Sequence, residues 1–340
     1  RLKKVWEGEY ETWNKRSLCG REYVYVWADG VYFNIRLEED RLACLVVIGV
    51  LPDGRKEVIA LEDGYRESTE SWASLLRDLK RRGMTTSILA VGDGNLGFWS
   101  ALREVYPEAK EQRCWKHKLA NVLDKLPKRL QPRAKEILHE IMYAPDRESA
   151  LEEIARFSTE YEARYPKAVE TLAKDQDQLL TFFDFPAEHW LHLRTTNPIE
   201  STFATVKART KKTKGAGSRK AGLAMAFTLL LAAEKRWRRV NAPHLVALVK
   251  AGVAFPDGQA EMFHLNELLR AIGREDDAPR LLLSGEAVVT KSGDAVRIEG
   301  SGRGFLEDAP VRADRFVGVV EDVLTFEYIE GQYRSARGVV

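Results

Sequence analysis

Between residues 22 and 61 the chain carries four short apolar runs in close succession: Tyr23–Ala28, Val31–Leu37, Leu42–Val50 and Lys56–Leu61. Their length and β-branched or aromatic content predict strands, and the spacing leaves no room for helices between them. Asp29-Gly30 and Asp53-Gly54 fall between runs, where Asp-Gly is a hairpin-turn signal. Helical spacing follows over Ser68–Arg82, with Trp72, Leu75, Leu76 and Leu79 on one face and Gly83 as a stop. Ser87–Gly92 reads as a short buried strand ending at Asp93, Leu96–Val105 as a helix, and Ala109–Cys114 as a fifth strand. Strands followed by alternating helices and strands predict an α/β sheet covered by helices.

From Trp115 to about Trp190 the β-branched runs vanish and long amphipathic patterns take over, as in Ala134–Met142 and Ala150–Tyr161, which predicts an all-helical segment. Pro198 opens a further helix to about Thr210, Lys214–Ser218 interrupts it, and Gly222–Trp237 makes a final apolar helix. The body ends near Gly258. Residues 281–330 alternate short apolar runs with Gly and Asp, the pattern of a small β-rich appendage. Neither an internal repeat nor a low-complexity segment interrupts the chain.

No apolar run approaches the roughly 20 residues that span a bilayer, so no membrane association is expected. Cys19, Cys44 and Cys114 are too few and scattered for a disulfide framework, which fits a reducing cytoplasmic setting. The chain starts without an initiator methionine, as a processed or incomplete front would. A net charge of +2 argues at first sight against a nucleic-acid partner. The average hides an asymmetry, because residues 260–340 hold 10 Lys/Arg against 15 Asp/Glu and leave the rest at +7. Residues 203–240 alone hold eleven Lys/Arg and one acid, Glu234, and that is where a polyanion would bind.

Folding into one sheet would bring Asp29 and Asp93 to a common edge, where a hard divalent cation takes such oxygen ligands, although spacing alone does not establish it. Either residue taken alone is equally an ordinary turn residue. In Thr195-Thr-Asn-Pro-Ile-Glu-Ser201, Asn197 suits a cap, Pro198 the first helical position, and Glu200 the third, so Glu200 reads as a capping-box acid, a presented carboxylate, or both. Lys207 lies two turns further along the same face, followed by Arg209, Lys211, Lys212 and Lys214. This basic ridge would grip backbone phosphates, with a solvated charged face as the alternative.

Together, Trp27-Ala-Asp-Gly-Val-Tyr-Phe33, Val91-Gly-Asp-Gly94, Cys114-Trp-Lys-His117 and Arg194-Thr-Thr-Asn-Pro-Ile-Glu-Ser201 resemble the mutator-type transposases of bacterial insertion sequences. The likeness covers roughly residues 1–258. It implies a ribonuclease-H-like mixed sheet flanked by helices, with an all-helical insertion ahead of the last catalytic acid. Residues 1–114 would then be the first part of the catalytic core, 115–190 the insertion, and 191–258 the final part with the basic helix. Residues 259–340 remain an unassigned acidic tail. Asp29, Asp93 and Glu200 would be the catalytic, metal-holding acids, with Mg²⁺ or Mn²⁺, two ions about 4 Å apart, as cofactor.

By the same resemblance the partners are DNA, both element ends and target, with Arg194, Asn197 and the ridge from Lys207 to Lys214 as contacts and a homodimer or higher assembly on the DNA. The setting would be the bacterial cytoplasm, at the nucleoid. Cys114 and His117 match a Cys-x-x-His signature of the family. Two ligands fall short of the four that zinc takes, and no other histidine pairs with a cysteine, so packing or DNA contact is their expected role. Trp190 either stacks on an exposed base or sits in the core. Family members carry a further N-terminal region that recognises terminal repeats, which is not expected within this chain. Two rival expectations stay open: a ribonuclease-H-like nuclease, and a truncated, inactive DNA-binding remnant.

Overall fold

The computed structural model describes the backbone of residues 2–36, 41–64, 68–94, 96–212, 215–259, 263–264, 281–292, 295–306, 309–320 and 324–328; side chains are described to residue 259, except at 2, 3, 96 and 209–211. A helix α1 (Leu2–Asn14) leads into three strands, β1 (Tyr25–Phe33), β2 (Leu42–Val50) and β3 (Lys56–Asp63). Then come α2 (Thr69–Arg81), β4 (Leu89–Gly92), α3 (Leu96–Val105) and β5 (Lys110–Arg113). The five strands make one mixed sheet in the order β3-β2-β1-β4-β5, antiparallel among the first three and parallel from β1 to β4 to β5.

Two points differ from the sequence reading. Asp29-Gly30 is not a turn: β1 runs straight through it and pairs with β2 from Tyr25↔Val50 to Phe33↔Leu42, including Asp29↔Val46 and Gly30↔Leu45. A tight Asp-Gly hairpin turn needs positive φ at both positions. Neither residue adopts it, whereas Gly54 in the true β2–β3 turn does, at φ +79°. The alternation stays in phase across the pair, so Tyr25, Trp27, Asp29, Val31 and Phe33 share one face. The second difference is α1, a helix in a segment for which the sequence predicts no element. Its Tyr10 hydroxyl donates to the Leu61 carbonyl at 2.8 Å, and Trp13 packs on Phe227 with ring centroids 5.0 Å apart.

One face of the sheet presents Val26, Ala28, Val47 and Ala90 to α2 and α3, whose Trp72, Leu75, Leu79, Phe98 and Leu102 complete that core. The other face presents Tyr25, Trp27, Val31, Phe33 and Val91 to the rest of the chain. Burying each such aromatic contributes about 2 kcal/mol. After β5 the chain is helical: α4 (Trp115–Leu123), α5 (Gln131–Met142), α6 (Arg147–Tyr161), α7 (Pro166–Ala173), α8 (Gln176–Leu180) and α9 (Trp190–Leu193), with two 3-10 turns before α9. Then follow α10 (Asn197–Lys212), α11 (Arg219–Glu234) and α12 (His244–Lys250). Among the described residues no helix is long and apolar enough to cross a membrane.

The helical block is tied to the sheet by polar side chains. The Trp27 indole donates to the His192 carbonyl at 3.0 Å, and the Trp115 indole to that of Leu179 at 2.8 Å. Fully buried Gln112 on β5 donates to the Arg113 and Leu179 carbonyls and accepts from the Phe182 N–H. A second, all-antiparallel sheet follows residue 259, in the order β10-β9-β8-β7-β6, from β6 (Phe263–His264), β7 (Leu281–Ser292), β8 (Ala295–Leu306), β9 (Ala309–Val320) and β10 (Leu324–Tyr328).

Candidate active site

The register of the parallel strands builds the site. β1 and β4 pair up to Ala28↔Gly92, and β4 and β5 up to Gly92↔Arg113. The next residue on each strand is Asp29, Asp93 and Cys114. Three chemically capable side chains therefore stand at one level of the sheet, on backbones about 4.8 Å apart from strand to strand. Asp29 is held rigid inside β1 and is only 7% exposed. Asp93 is partly exposed, at the mouth of the turn after β4.

Backbone bonds bring the fourth member in. The Cys114 N–H donates to Gly92 at 2.7 Å, the Trp115 N–H to the Arg194 carbonyl at 2.9 Å, and the Thr196 N–H to Cys114 Sγ at 3.4 Å. This stitch sets the start of α10 against the end of β5. The helix begins one residue earlier than its sequence suggests, since the Glu200 N–H donates to the Thr196 carbonyl at 3.1 Å and makes Thr196 the cap. Glu200 then sits at the fourth position, outside the capping-box geometry, in which the acid at the third position reaches back to the cap N–H. Instead its carboxylate accepts from the Thr196 hydroxyl at 3.3 Å and pairs with the Lys116 ammonium.

His117 is the hub of the group. Its ligand atom, Cys114 Sγ and a Glu200 carboxylate oxygen all lie within 4.8 Å of one another. The Cys114 thiol beside it, followed by the charges of Asp29 and Asp93, raises His117 to about 9 against the opposing effect of burial. The neighbouring thiol and carboxylates thus favour the charged form of the ring. Burial pushes the Cys114 thiol up, but His117 and Thr196 outweigh it and leave the thiol below its ordinary value.

Beneath Asp93 lies a group the sequence reading missed. Gly94 has φ +78°, and the Arg113 guanidinium lies directly against it. Arg113 is 5% exposed and reaches Asp175 at 3.3 Å, and Lys118, 2% exposed, reaches the same carboxylate at 2.7 Å. Two buried cations on one acid brace the turn that carries Asp93. Arg113 and Lys116 flank Cys114 and His117 in sequence, and that adjacency was the only signal for either.

Of the other expected site residues, Asn197, Lys207 and Lys212 are exposed on α10. The side chains of Arg209 and Lys211, and the whole of Lys214, lie outside the described residues. Arg194 departs from its expected place on a DNA-facing surface. It is 8% exposed, with its guanidinium 4.6 Å from the Phe182 ring centroid, 5.0 Å from Tyr143 and 5.3 Å from Trp190. Burial lowers it to about 10. Trp190 is a core residue, its indole donating to the Phe185 carbonyl at 2.7 Å.

Comparison with known proteins places this geometry in context. A family model described as "Transposase, Mutator family" matches residues 1–240. The chain is 57% identical over 259 residues to the transposase for insertion sequence element IS6120 of Mycolicibacterium smegmatis, covering 76% of this chain and 80% of that protein. It is 49% identical over 266 residues to the transposase for insertion sequence element IST2 of Acidithiobacillus ferrooxidans, covering 76% and 88%. A more distant relative is the transposase for insertion sequence element IS905 of Lactococcus lactis, 32% identical over 212 residues and covering 62% of this chain and 54% of that protein.

Proposed function

The chain belongs to the mutator family of transposases, and from that premise we propose that it cleaves and joins DNA strands at a site made by Asp29, Asp93 and Glu200. The observation that carries the reading is the common level of Asp29, Asp93 and Cys114 on the sheet, with α10 and Glu200 stitched to Cys114 through Thr196. A five-stranded sheet in the order 3-2-1-4-5, antiparallel then parallel, supports a ribonuclease-H-like core. In this reading residues 1–114 and 191–258 make up that core, 115–190 are an insertion between β5 and α10, and 259–340 are an appendage.

Three carboxylates, one of them buried, are a hard oxygen donor set that suits Mg²⁺ or Mn²⁺. When bound, such ions activate the attacking hydroxyl and stabilise the leaving oxygen. Asp29 supplies the fixed wall of the site because its backbone pairs with Val46 of β2, directly after the last β1–β4 pair. Asp93 is oriented by the braced turn, and Glu200 is presented by the first turn of α10. The His117 imidazolium offsets the carboxylates' charge before a phosphate enters. Lys116 holds Glu200 and is exposed enough to release it at little cost. Water is the nucleophile for cleavage and a DNA 3′-hydroxyl for joining, so no covalent enzyme intermediate is needed. Asn197, Lys207 and Lys212 lie along the path of the DNA backbone, and two copies of the chain meet on paired element ends.

The test is a joining assay with pre-cleaved element ends and supercoiled target, in Mg²⁺, Mn²⁺ or EDTA. Joined product that requires metal and falls at least about 1,000-fold in Asp93→Asn and Glu200→Gln supports the assignment. DNA binding without any metal-dependent joining or nicking in the parent chain would reduce it to a DNA-binding remnant.

A further inference from the structure

The function proposed above assigns Glu200 to a carboxylate set with Asp29 and Asp93. Beside Glu200 also stand a thiol and an imidazole, Cys114 and His117, whose ligand atoms lie with a Glu200 oxygen inside a 4.8 Å group. Among the described residues this is the one group of three His, Cys, Asp or Glu side chains that close together. Sequence spacing supplied only two of its members, because Glu200 arrives from α10, far along the chain.

The local structure prepares these three residues as ligands. Cys114 caps α4 and His117 lies three residues on, so both point from the same side of the first turn. Cys114 is fully buried, and its sulfur receives the Thr196 N–H at 3.4 Å and lies 3.5 Å from the Thr196 hydroxyl. These are the neighbours that orient a metal-bound thiolate. The Nδ1 atom of His117 is buried without a hydrogen-bond partner, and metal binding to the ring releases the proton that offsets the carboxylates in the metal-free site. Tetrahedral zinc bonded at about 2.0 to 2.3 Å needs ligand atoms about 3.5 Å apart, which shifts of about 1 Å in the partly buried His117 and Glu200 side chains supply.

We propose that Cys114, His117 and Glu200 form a binding site for a thiophilic divalent cation of the Zn²⁺ class, completed by water, and that its occupancy withdraws Glu200 from the Asp29 and Asp93 set. Sulfur and nitrogen donors select Zn²⁺ or Co²⁺ over Mg²⁺, so the two sets separate metals by softness. The binding claim stands on geometry alone. The inhibitory consequence rests on the function proposed above.

The experiment uses Co²⁺ as a spectroscopic probe in a Cys19→Ser background, which removes the exposed thiol. One Co²⁺ per chain is expected, with a near-ultraviolet thiolate-to-cobalt band and the visible bands of four-coordinate cobalt, both displaced by Zn²⁺. Cys114→Ser abolishes the thiolate band, and His117→Gln weakens binding by about 100-fold or more. Asp93→Asn keeps the band. Circular dichroism checks that each variant is folded, and if Cys114→Ser is not, His117→Gln carries the comparison. Absence of the band, its survival in folded Cys114→Ser, or its loss in folded Asp93→Asn overturns the site. In the joining assay with Mg²⁺, stoichiometric Zn²⁺ lowers the rate at least about tenfold, and His117→Gln raises the Zn²⁺ needed by the same factor that it weakens Co²⁺ binding. A cobalt site without any Mg²⁺-dependent joining would refute the proposed function and leave the metal site standing.

Discussion

Replacing Gly94 by alanine tests how the turn behind Asp93 is held. An ideal Cβ at Gly94 would lie 1.1 Å from Arg113 Nη1, 1.8 Å from Cζ and 2.4 Å from Nε, so the guanidinium must leave its slot. Two costs follow. Alanine at φ +78° costs about 1 kcal/mol in backbone strain. Displacing the buried Arg113 from Asp175 costs about 1–2 kcal/mol more, below the range for breaking a buried pair outright, because Lys118 still neutralises Asp175.

Gly94→Ala should therefore lose about 2–3 kcal/mol in urea unfolding at unchanged denaturant slope. Gly20→Ala is the control: its φ is +74° and no atom lies within 4 Å of the added Cβ, so it should lose about 1 kcal/mol. In the double variant Gly94→Ala, Arg113→Ala the clash term disappears, giving a non-additive cycle. If Gly94→Ala were no worse than Gly20→Ala, or the two substitutions were additive, Arg113 would not be bracing the Asp93 turn.

Two further predictions concern the packing beneath the site. Gln112→Leu takes the side-chain partner from the Phe182 N–H and a donor from the Arg113 and Leu179 carbonyls, the latter keeping its bond from the Trp115 indole, so it should destabilise the chain by about 2 kcal/mol, and a loss under about 0.5 kcal/mol in the same titration would contradict the tie between β5 and the helical block. His189 accepts from the Tyr25 hydroxyl through Nδ1 at 2.8 Å and donates through Nε2 to the Ala242 carbonyl at 3.2 Å, and burial lowers it to about 4. Because the unfolded chain takes up this proton first, the stability it contributes is present above pH 6.5 and lost as pH falls to 4, on the order of 3 kcal/mol. His189→Gln should flatten that part of the stability profile, and parallel profiles for the two proteins would refute the burial argument.

How much of this was legible in the sequence follows the range of the interactions. Local periodicity suffices for α2, α3, β2 and the strands on which Asp93 and Cys114 stand, because each alternates or repeats within a few residues. α1 escaped because its few apolar residues, Tyr10 and Trp13 among them, find their partners Leu61 and Phe227 only after folding. Asp29-Gly30 misled because the pair is a turn signal locally, while pairing with β2 along nine residues keeps it extended. The carboxylates and the Cys-x-x-His motif were visible as residues. The contacts of Cys114 with Thr196 and of Lys116 with Glu200 were not, since each spans more than eighty positions. Arg194 illustrates the same limit: a basic residue beside a conspicuous motif reads as a DNA contact until the rings of Tyr143, Phe182 and Trp190 are seen around it.

The central claim is that Asp29 and Asp93, with Glu200, hold the metal at the end of the parallel strands. Anomalous diffraction from crystals of the chain with element-end DNA, soaked in Mn²⁺, tests it most directly. A peak within about 2.5 Å of both the Asp29 and Asp93 carboxylates, absent from Asp93→Asn crystals, is the predicted result. Mn²⁺ bound elsewhere, or unaffected by Asp93→Asn, would contradict it.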